Sequence, residues 1–372
     1  MARRRVASSR PRVLFAVGSL FPVGGCESQV VEIMCQLHGQ ALDATLVTAG
    51  VSDRGVLRVR LDEAGIPVVS TGRGAARGLL APPMMASRYA RVMAGVRPHV
   101  VYPWLEETSL YLVPIARCLG VPSVVARRNI SGADVERIPL AGWAIRGAEA
   151  MADVVTANSQ AVLEEAQRRG ISPDKLRLVR NAHPDLPPLA PPDGPPVMGY
   201  VANFRHGKGQ LRFVEAISRL PRELPWTARF AGDGGTMPAV RERVAQVSLE
   251  DRVEFHGRID DPRSFWAHCH IAVLLSDHEG SPNALIEAGY AGRPIVATRV
   301  GGTPEIVENG AGWLVGPNED PTAMAAILRR LLTDPALVRD AGRRAHRHVS
   351  RVFSLRESVE GHRAAIEDAL AG

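Results

Sequence analysis

The sequence is poor in lysine, cysteine, aromatic residues and long apolar runs. Of its 45 basic residues only Lys175 and Lys208 are lysines, and neither sits in a setting that suggests a cofactor-bound amine. The four cysteines, Cys26, Cys35, Cys118 and Cys269, have no metal-ligand spacing and no disulfide-framework density. They read as reduced thiols of a cytosolic protein. Nothing approaches eighteen consecutive apolar residues, so no membrane-spanning helix is expected. The start, "MARRRVASSRPRVLFAV", is basic, but the apolar run after Arg12 is short and strand-like, so no signal peptide is expected. With aromatics at 5%, the basic half of the chain lacks the stacking set and the reading helix that nucleic-acid binding would need. Low-complexity segments and short repeats are absent.

What is present is a globular composition, 45% apolar and 23% charged, over 372 residues. That length suits two domains better than one core. Residues 1–190 carry 23 Lys/Arg against 16 Asp/Glu, and the remainder 22 against 23. The first half is therefore basic and the second balanced. A basic half can meet nucleic acid, an anionic membrane or a phosphorylated ligand, or it can simply be a solvated arginine-rich surface.

Short Val/Ile/Leu-rich runs recur in the first half, among them "RVLFAVGS", "ATLVTAG", "HVVYPW", "PSVVARR" and "DVVTANS", with helical stretches between them. Runs of this kind suit strands buried on both faces, which means parallel sheets covered by helices. Residues 183–196, "HPDLPPLAPPDGPP", hold seven prolines in fourteen positions and form the best linker candidate. The pattern then restarts with "VMGYVANF", "WTARFAGDG", "VEFHGRI", "IAVLLS" and "PIVATRV", and from about Asp320 it turns helical. The fold class expected is α/β: two Rossmann-like doubly wound parallel-sheet domains facing a cleft. The boundaries expected are 1–182, a linker over 183–196, a second domain over 197–352, and a C-terminal helix over 353–372 that crosses back to the first domain.

The richest stretch is "DHEGSPNALIEAGYAGRPIVATRVGG", residues 277–302. After the strand "IAVLLS", Ser281 and Pro282 read as the N-cap and first residue of a helix that stops at Gly292. Its mouth, Gly280, Ser281, Pro282, Asn283 and Ala284, suits an anion, best a phosphate. Glu279 precedes the mouth, and Glu287 lies inside the helix, where it can accept hydrogen bonds from a diol such as a ribose.

The run "EGSPNALIEAGYAGRPIVATRVGGTPEIVENGAGWLV" strongly resembles the donor-binding signature of the family 4 retaining glycosyltransferases, which have the GT-B architecture. "VTANSQAV" and "VANFRHGKGQ" extend the likeness over most of the chain. The resemblance implies a nucleotide-sugar donor on the second domain and a sugar, lipid-linked or small-molecule acceptor on the first. It also implies same-face attack, with the departing phosphate taking the acceptor's proton, no protein nucleophile and no metal or other cofactor. Arg205 and Lys208 would contact the diphosphate and stabilise its developing charge. Glu279 would orient the donor sugar, and Glu287 would hold the ribose. Catalytic roles are thus expected for Glu279, Arg205 and Lys208. Gly24 and Gly25, after the first strand, would approach the diphosphate, and backbone near Gly257, Arg258 and Ile259 would read the base. The glycines of "FAGDGG" would shape the floor of the site.

Some positions depart from the family. Many members place an arginine five residues before the lysine, where this chain has Asn203, and Arg205 stands three before Lys208. A first-domain histidine is replaced by Arg127, Arg128 and Asn129, which suit either an acidic or phosphorylated acceptor or an exposed loop. His99 is expected to cap a strand, Ala182 stands for a glycine, and His183, His206 and His278 are expected to be incidental. The stretch "RGLLAPPMMASRYARVMAGVR" can be a membrane-surface helix or one face of an ordinary surface helix. The expected location is cytoplasmic, with peripheral contact at an anionic inner membrane face as an addition. Rivals are a GT-B sugar-nucleotide epimerase, a pyridoxal-type phosphorylase that the two lysines disfavour, and a non-catalytic nucleotide-sugar sensor.

Overall fold

Among the described residues, every paired strand runs parallel to its neighbours, as the doubly buried apolar runs require. The computed structural model describes residues 10–20, 24–50, 55–72, 81–129 and 139–372. The basic start over 1–9, the 21–23 part of "FPVGG", residues 73–80 of the arginine-rich stretch and residues 130–132 of "VVARRNISG" lie outside them. Two units divide the chain, residues 1–181 with 356–372, and residues 182–355.

The first unit has β1 (Arg12–Val17), β2 (Asp43–Thr48), β3 (Val68–Ser70), β4 (Val100–Pro103), β5 (Val124–Arg127), β6 (Val154–Ala157) and β7 (Leu176–Leu178). Strand order is β3-β2-β1-β4, then β5-β6-β7, and Val101 bridges to Ser123 where the two meet. The helix Ala81–Val96 spends its apolar side on this sheet: Tyr89 and Met93 are buried, with Met85, Val92 and Val96 packed beside them. That side is therefore turned to the core of this unit, as in the surface-helix reading of the stretch. The helix Leu355–Ala371 packs in this unit through buried His362, Ala365, Ile366 and Ala369.

The second unit has β8 (Val197–Val201), β9 (Thr227–Ala231), β10 (Val253–Phe255), β11 (Ile271–Leu274), β12 (Ile295–Thr298) and β13 (Gly312–Val315). They lie in the order β10-β9-β8-β11-β12-β13, so the sheet winds outward in both directions from β8 and β11. Ligands in such sheets bind outside the carboxyl ends at that reversal. The expected strand through Phe204 ends at Val201 instead. Beyond it the chain bends to meet the turn after β9: Phe204 donates to Asp233 O at 2.9 Å and Thr236 donates to Phe204 O at 3.2 Å. The bend needs glycine, because a Cβ at Gly232, whose φ is +131°, would sit 2.0 Å from Ala202 O.

The proline-rich segment does not hang free. Arg263 donates to Pro187 O at 2.8 Å, Arg293 to Ala190 O at 2.9 Å, and Leu189 to Ala291 O at 3.3 Å. Proline leaves its carbonyls without internal partners, and two arginines of the second unit take them up.

Candidate functional site

Lys208 and Glu279 meet at the reversal of the second sheet. The Lys208 Nζ donates to Glu279 Oε1 at 2.6 Å, with the two side chains 15% and 10% exposed. Lys208 lies on the turn after β8 and Glu279 on the turn after β11. Gly209 lets the two turns approach: its φ is +71°, and a Cβ there would fall 1.9 Å from Leu275 O. No other residue fits such a place without moving backbone. Arg205 is exposed on the same turn, whose closing bond runs from the Lys208 amide to Arg205 O at 3.2 Å.

Three further ties join these turns. The Tyr200 hydroxyl, buried in β8, donates to Lys208 O and accepts from the Leu275 amide at 2.9 Å. Arg212 donates to Leu275 O at 2.9 Å and to Asp277 Oδ1 at 2.7 Å. The Asp277 amide donates to Gly207 O at 2.8 Å. Sequence reasoning missed Tyr200, Arg212 and Asp277. A tyrosine in an otherwise aliphatic buried strand was the signal to follow, since its hydroxyl must find a partner.

The helix Asn283–Tyr290 starts one residue later than expected. Pro282 holds the cap position with φ −72° and ψ 110°, and the Leu285 amide donates to its carbonyl at 3.1 Å. Ser281 is buried just before it and is not the cap. Pro282 is itself extended, so the chain turns helical only after it. The Pro282 ring offers no capping hydrogen bond, and the first amides of the helix present a partial positive potential. Gly280, also buried, accepts from the Gly302 amide at 3.0 Å, which ties the mouth to the turn after β12.

Glu287 is half-buried, yet its carboxyl is desolvated enough to be pushed up to about 7. No hydrogen bond or ion pair to this carboxyl is found among the described residues, so it stands ready to accept from hydroxyls. Gly257 and Arg258 follow β10; Gly257 O accepts from the Gly232 amide at 2.7 Å, and Arg258 Nε lies 3.9 Å from Asp233 Oδ2. "HGRI" and "FAGDGG" are thus joined at the same end of the sheet as Lys208.

Gly24 and Gly25 belong to the first unit, at the start of the helix Gly25–Leu37. The Glu27 carboxyl already accepts from the Gly24 amide, and burial raises it from its ordinary value. A Cβ on Gly24 would lie 2.6 Å from Glu27 Oε2, so this helix start holds its own acid.

Both expectations for Arg127 and Arg128 need correction. Neither is exposed, and both are tied internally. Arg127 binds both Glu149 oxygens at 2.6 and 2.7 Å. Arg128 donates to Asn181 Oδ1 at 2.8 Å and lies 3.9 Å over the Trp104 ring. Its other amino group is 3.3 Å from His362 Nε2. Burial, aided by the Arg128 charge, drives His362 well below its ordinary value. The neutral ring therefore accepts from Arg128 and donates from Nδ1 to Tyr102 at 2.6 Å. Apolar neighbours demanded pairing of each charge, which spacing along the chain could not reveal.

The histidines stand as follows. His99 Nδ1 accepts the Arg12 amide at 3.0 Å, capping the start of β1. His183 stacks on Tyr290 with centroids 4.7 Å apart, while His206 and His278 are exposed.

Two family models match the chain, one described as a glycosyl transferase 4-like domain over residues 24–182 and one as glycosyl transferases group 1 over residues 195–334. N-acetyl-alpha-D-glucosaminyl L-malate synthase of Bacillus anthracis is 30% identical over 174 residues, 47% of this chain and 46% of that protein. The lipopolysaccharide core biosynthesis glycosyltransferase LpsE of Rhizobium meliloti is 30% identical over 169 residues, 45% of this chain and 48% of that protein. The chain thus spans about half the length of these curated relatives. A structure of Anabaena Alr3699/HepE in complex with UDP-glucose matches with a TM-score of 0.83 at 21% identity, covering 98% of this chain and 100% of that one. Such neighbours are GT-B proteins with two Rossmann-like domains, and the fold is the same here.

Proposed function

The chain belongs to the group 1 glycosyltransferases, and we propose that it moves a sugar from a nucleoside-diphosphate sugar to an acceptor hydroxyl in glycan, glycolipid or natural-product biosynthesis, with retention of configuration. The observation that carries this reading is the Lys208–Glu279 contact of 2.6 Å at the reversal of the sheet, beside a helix start and the desolvated Glu287.

The diphosphate lies against the mouth formed by Gly280, Ser281, Pro282, Asn283 and Ala284, with Lys208 and Arg205 as counter-charges. As the bond from the anomeric carbon to phosphate oxygen breaks, these cations stabilise the negative charge that accumulates there. The acceptor oxygen bonds to the same face of that carbon, and its proton passes to the departing phosphate. No protein nucleophile takes part, and protein cations do the work that a metal ion would otherwise do. Glu279 orients sugar hydroxyls, and Glu287 accepts from the ribose diol. Neighbouring strands are about 4.8 Å apart, so the turn after β10 lies roughly 10 Å from that after β8. That separation matches the reach of a nucleoside diphosphate, with main chain near Gly257 and Arg258 on the base. Four free thiols among the described residues support a reducing, cytoplasmic setting.

Thermal unfolding with UDP, GDP, ADP and dTDP, each with EDTA, tests the reading. One nucleotide is expected to stabilise the wild type by about 2.7 kcal/mol at a hundred times its dissociation constant. The stabilisation is expected to survive EDTA and to vanish in Glu287→Ala. No stabilisation by any of the four at millimolar concentration would refute the donor site. Consumption of the matching nucleotide sugar without an acceptor, giving an epimer, would replace transfer with epimerisation.

A further inference from the structure

The Lys208–Glu279 contact joins the ends of two flexible side chains and does not by itself fix the backbones of the two turns. The register comes from groups that the donor reading does not use. Tyr200 is clamped between Phe213 and Phe230, with ring centroids 5.3 and 5.5 Å away, so its hydroxyl is confined to one position. From there it joins Lys208 O to the Leu275 amide. Arg212 rises from the first turn of the helix Gln210–Ile217, and its fork spans Leu275 O and Asp277 Oδ1 at 2.9 and 2.7 Å. Asp277 returns its amide to Gly207 O at 2.8 Å, one residue before Lys208.

We infer that Tyr200 and Arg212 are positioning residues that hold the Lys208 turn and the Glu279 turn in one fixed register. Neither touches the donor. Tyr200 sets the height of the Lys208 backbone against the end of β11, and Arg212 sets the path from Leu275 through Asp277 to Glu279. A planar guanidinium suits this task because two parallel bonds from one rigid fork fix angle as well as distance. Loss of either tie leaves Lys208 free to swing on its four-carbon stem. The assignment of Lys208 and Glu279 to donor contacts rests on the proposed function, whereas the register of the two turns does not.

The lysine content makes the test direct, since Lys175 and Lys208 are the only two amine side chains. Trace acetylation with an N-hydroxysuccinimide ester, read by peptide mass spectrometry, reports Lys208 against Lys175. Lys175 is held independently in the first unit by Ala150 O and Ala152 O at 3.1 and 2.9 Å. Buried Cys269 in the second unit, read by thiol labelling, reports general loosening there.

In Arg212→Met and in Tyr200→Phe, Lys208 acetylation is expected to rise about fivefold or more relative to Lys175, with Cys269 labelling unchanged. Asp277→Asn, which keeps an oxygen acceptor for Arg212, is expected to stay within about twofold of wild type, and Asp277→Ala to rise. An unchanged Lys208 ratio in Arg212→Met and Tyr200→Phe overturns the inference. A rise that appears only together with Cys269 labelling also overturns it, because the ties would then be merely structural. Protection of wild-type Lys208 by a nucleoside diphosphate is the separate readout of the donor site. Its absence, beside a raised ratio in the variants, would sink the donor reading and leave the positioning role standing.

Discussion

At the scale of single residues, Glu287 shows how one carboxyl trades stability for binding. Burial raises it from 4.5 to about 7, so the folded chain holds this proton more tightly than the unfolded chain does. The resulting stability is present in full below the ordinary carboxyl value and is lost as pH rises through about 7. Each tenfold gain in proton affinity is worth about 1.4 kcal/mol, so the loss is on the order of 3 kcal/mol. Glu287→Gln is therefore expected to unfold at a higher temperature than wild type at pH 8 and at the same temperature near pH 4. The same variant is expected to bind its nucleotide about tenfold or more weakly, because a charge-assisted bond to the ribose is lost. Wild-type affinity, in turn, is expected to increase as pH rises through about 7. Thermal melts across pH, with and without nucleotide, check all three expectations. The sequence marked Glu287 from its place inside a helix after the Gly-Ser-Pro-Asn mouth, but desolvation of its carboxyl came from packing.

At the scale of elements, the site is made by turns that enter one another's space. Gly209 shows the cost of closing that space. An alanine there combines a left-handed backbone with a Cβ 1.9 Å from Leu275 O. The expected loss is at least about 2 kcal/mol, the sum of left-handed strain and overpacking. Urea unfolding of Gly209→Ala, followed by a reporter in the second unit such as Trp226, measures it. The helix after the mouth was legible in sequence because capping and proline rules act between neighbours. Its start was misplaced by one residue because Ser-Pro admits two entries, and the extended ψ of 110° at Pro282 decided between them. The strand after the linker was overextended for a different reason: the glycines that bend it are in the turn after β9, some thirty residues on.

At the scale of the whole molecule, the first unit is completed by the last helix of the chain. His362, on the helix Leu355–Ala371, is wedged between Tyr102 and Arg128, and Ser358 donates to Arg180 O at 2.8 Å. Depression of the His362 value means that the unfolded chain binds this proton more tightly than the folded one. Stability from this wedge is complete above the ordinary value of 6.5 and falls as pH drops below it. Hydrogen-exchange protection factors of residues 355–371 are expected to fall between pH 6.5 and 5, and to lose that slope in His362→Gln. Equal slopes in wild type and variant would assign the change to other groups.

The sequence by itself determined the fold class, the two α/β halves and the order of signals along the second half, which follow from periodicity, proline and glycine acting over a few residues. Lys208, Glu279 and Glu287 were singled out with the help of a family resemblance, as candidates for the donor site. Only the tertiary structure decided that Lys208 meets Glu279, 71 positions away, and that Tyr200 and Arg212 tie their turns. It also decided that Arg127 and Arg128 serve the interior of the first unit rather than an acceptor, and that His362 joins Tyr102 across 260 positions. The physical reason is common to all of these. A buried charge or hydroxyl must be satisfied by whatever packing brings beside it, and the partner's place in the chain leaves no local mark.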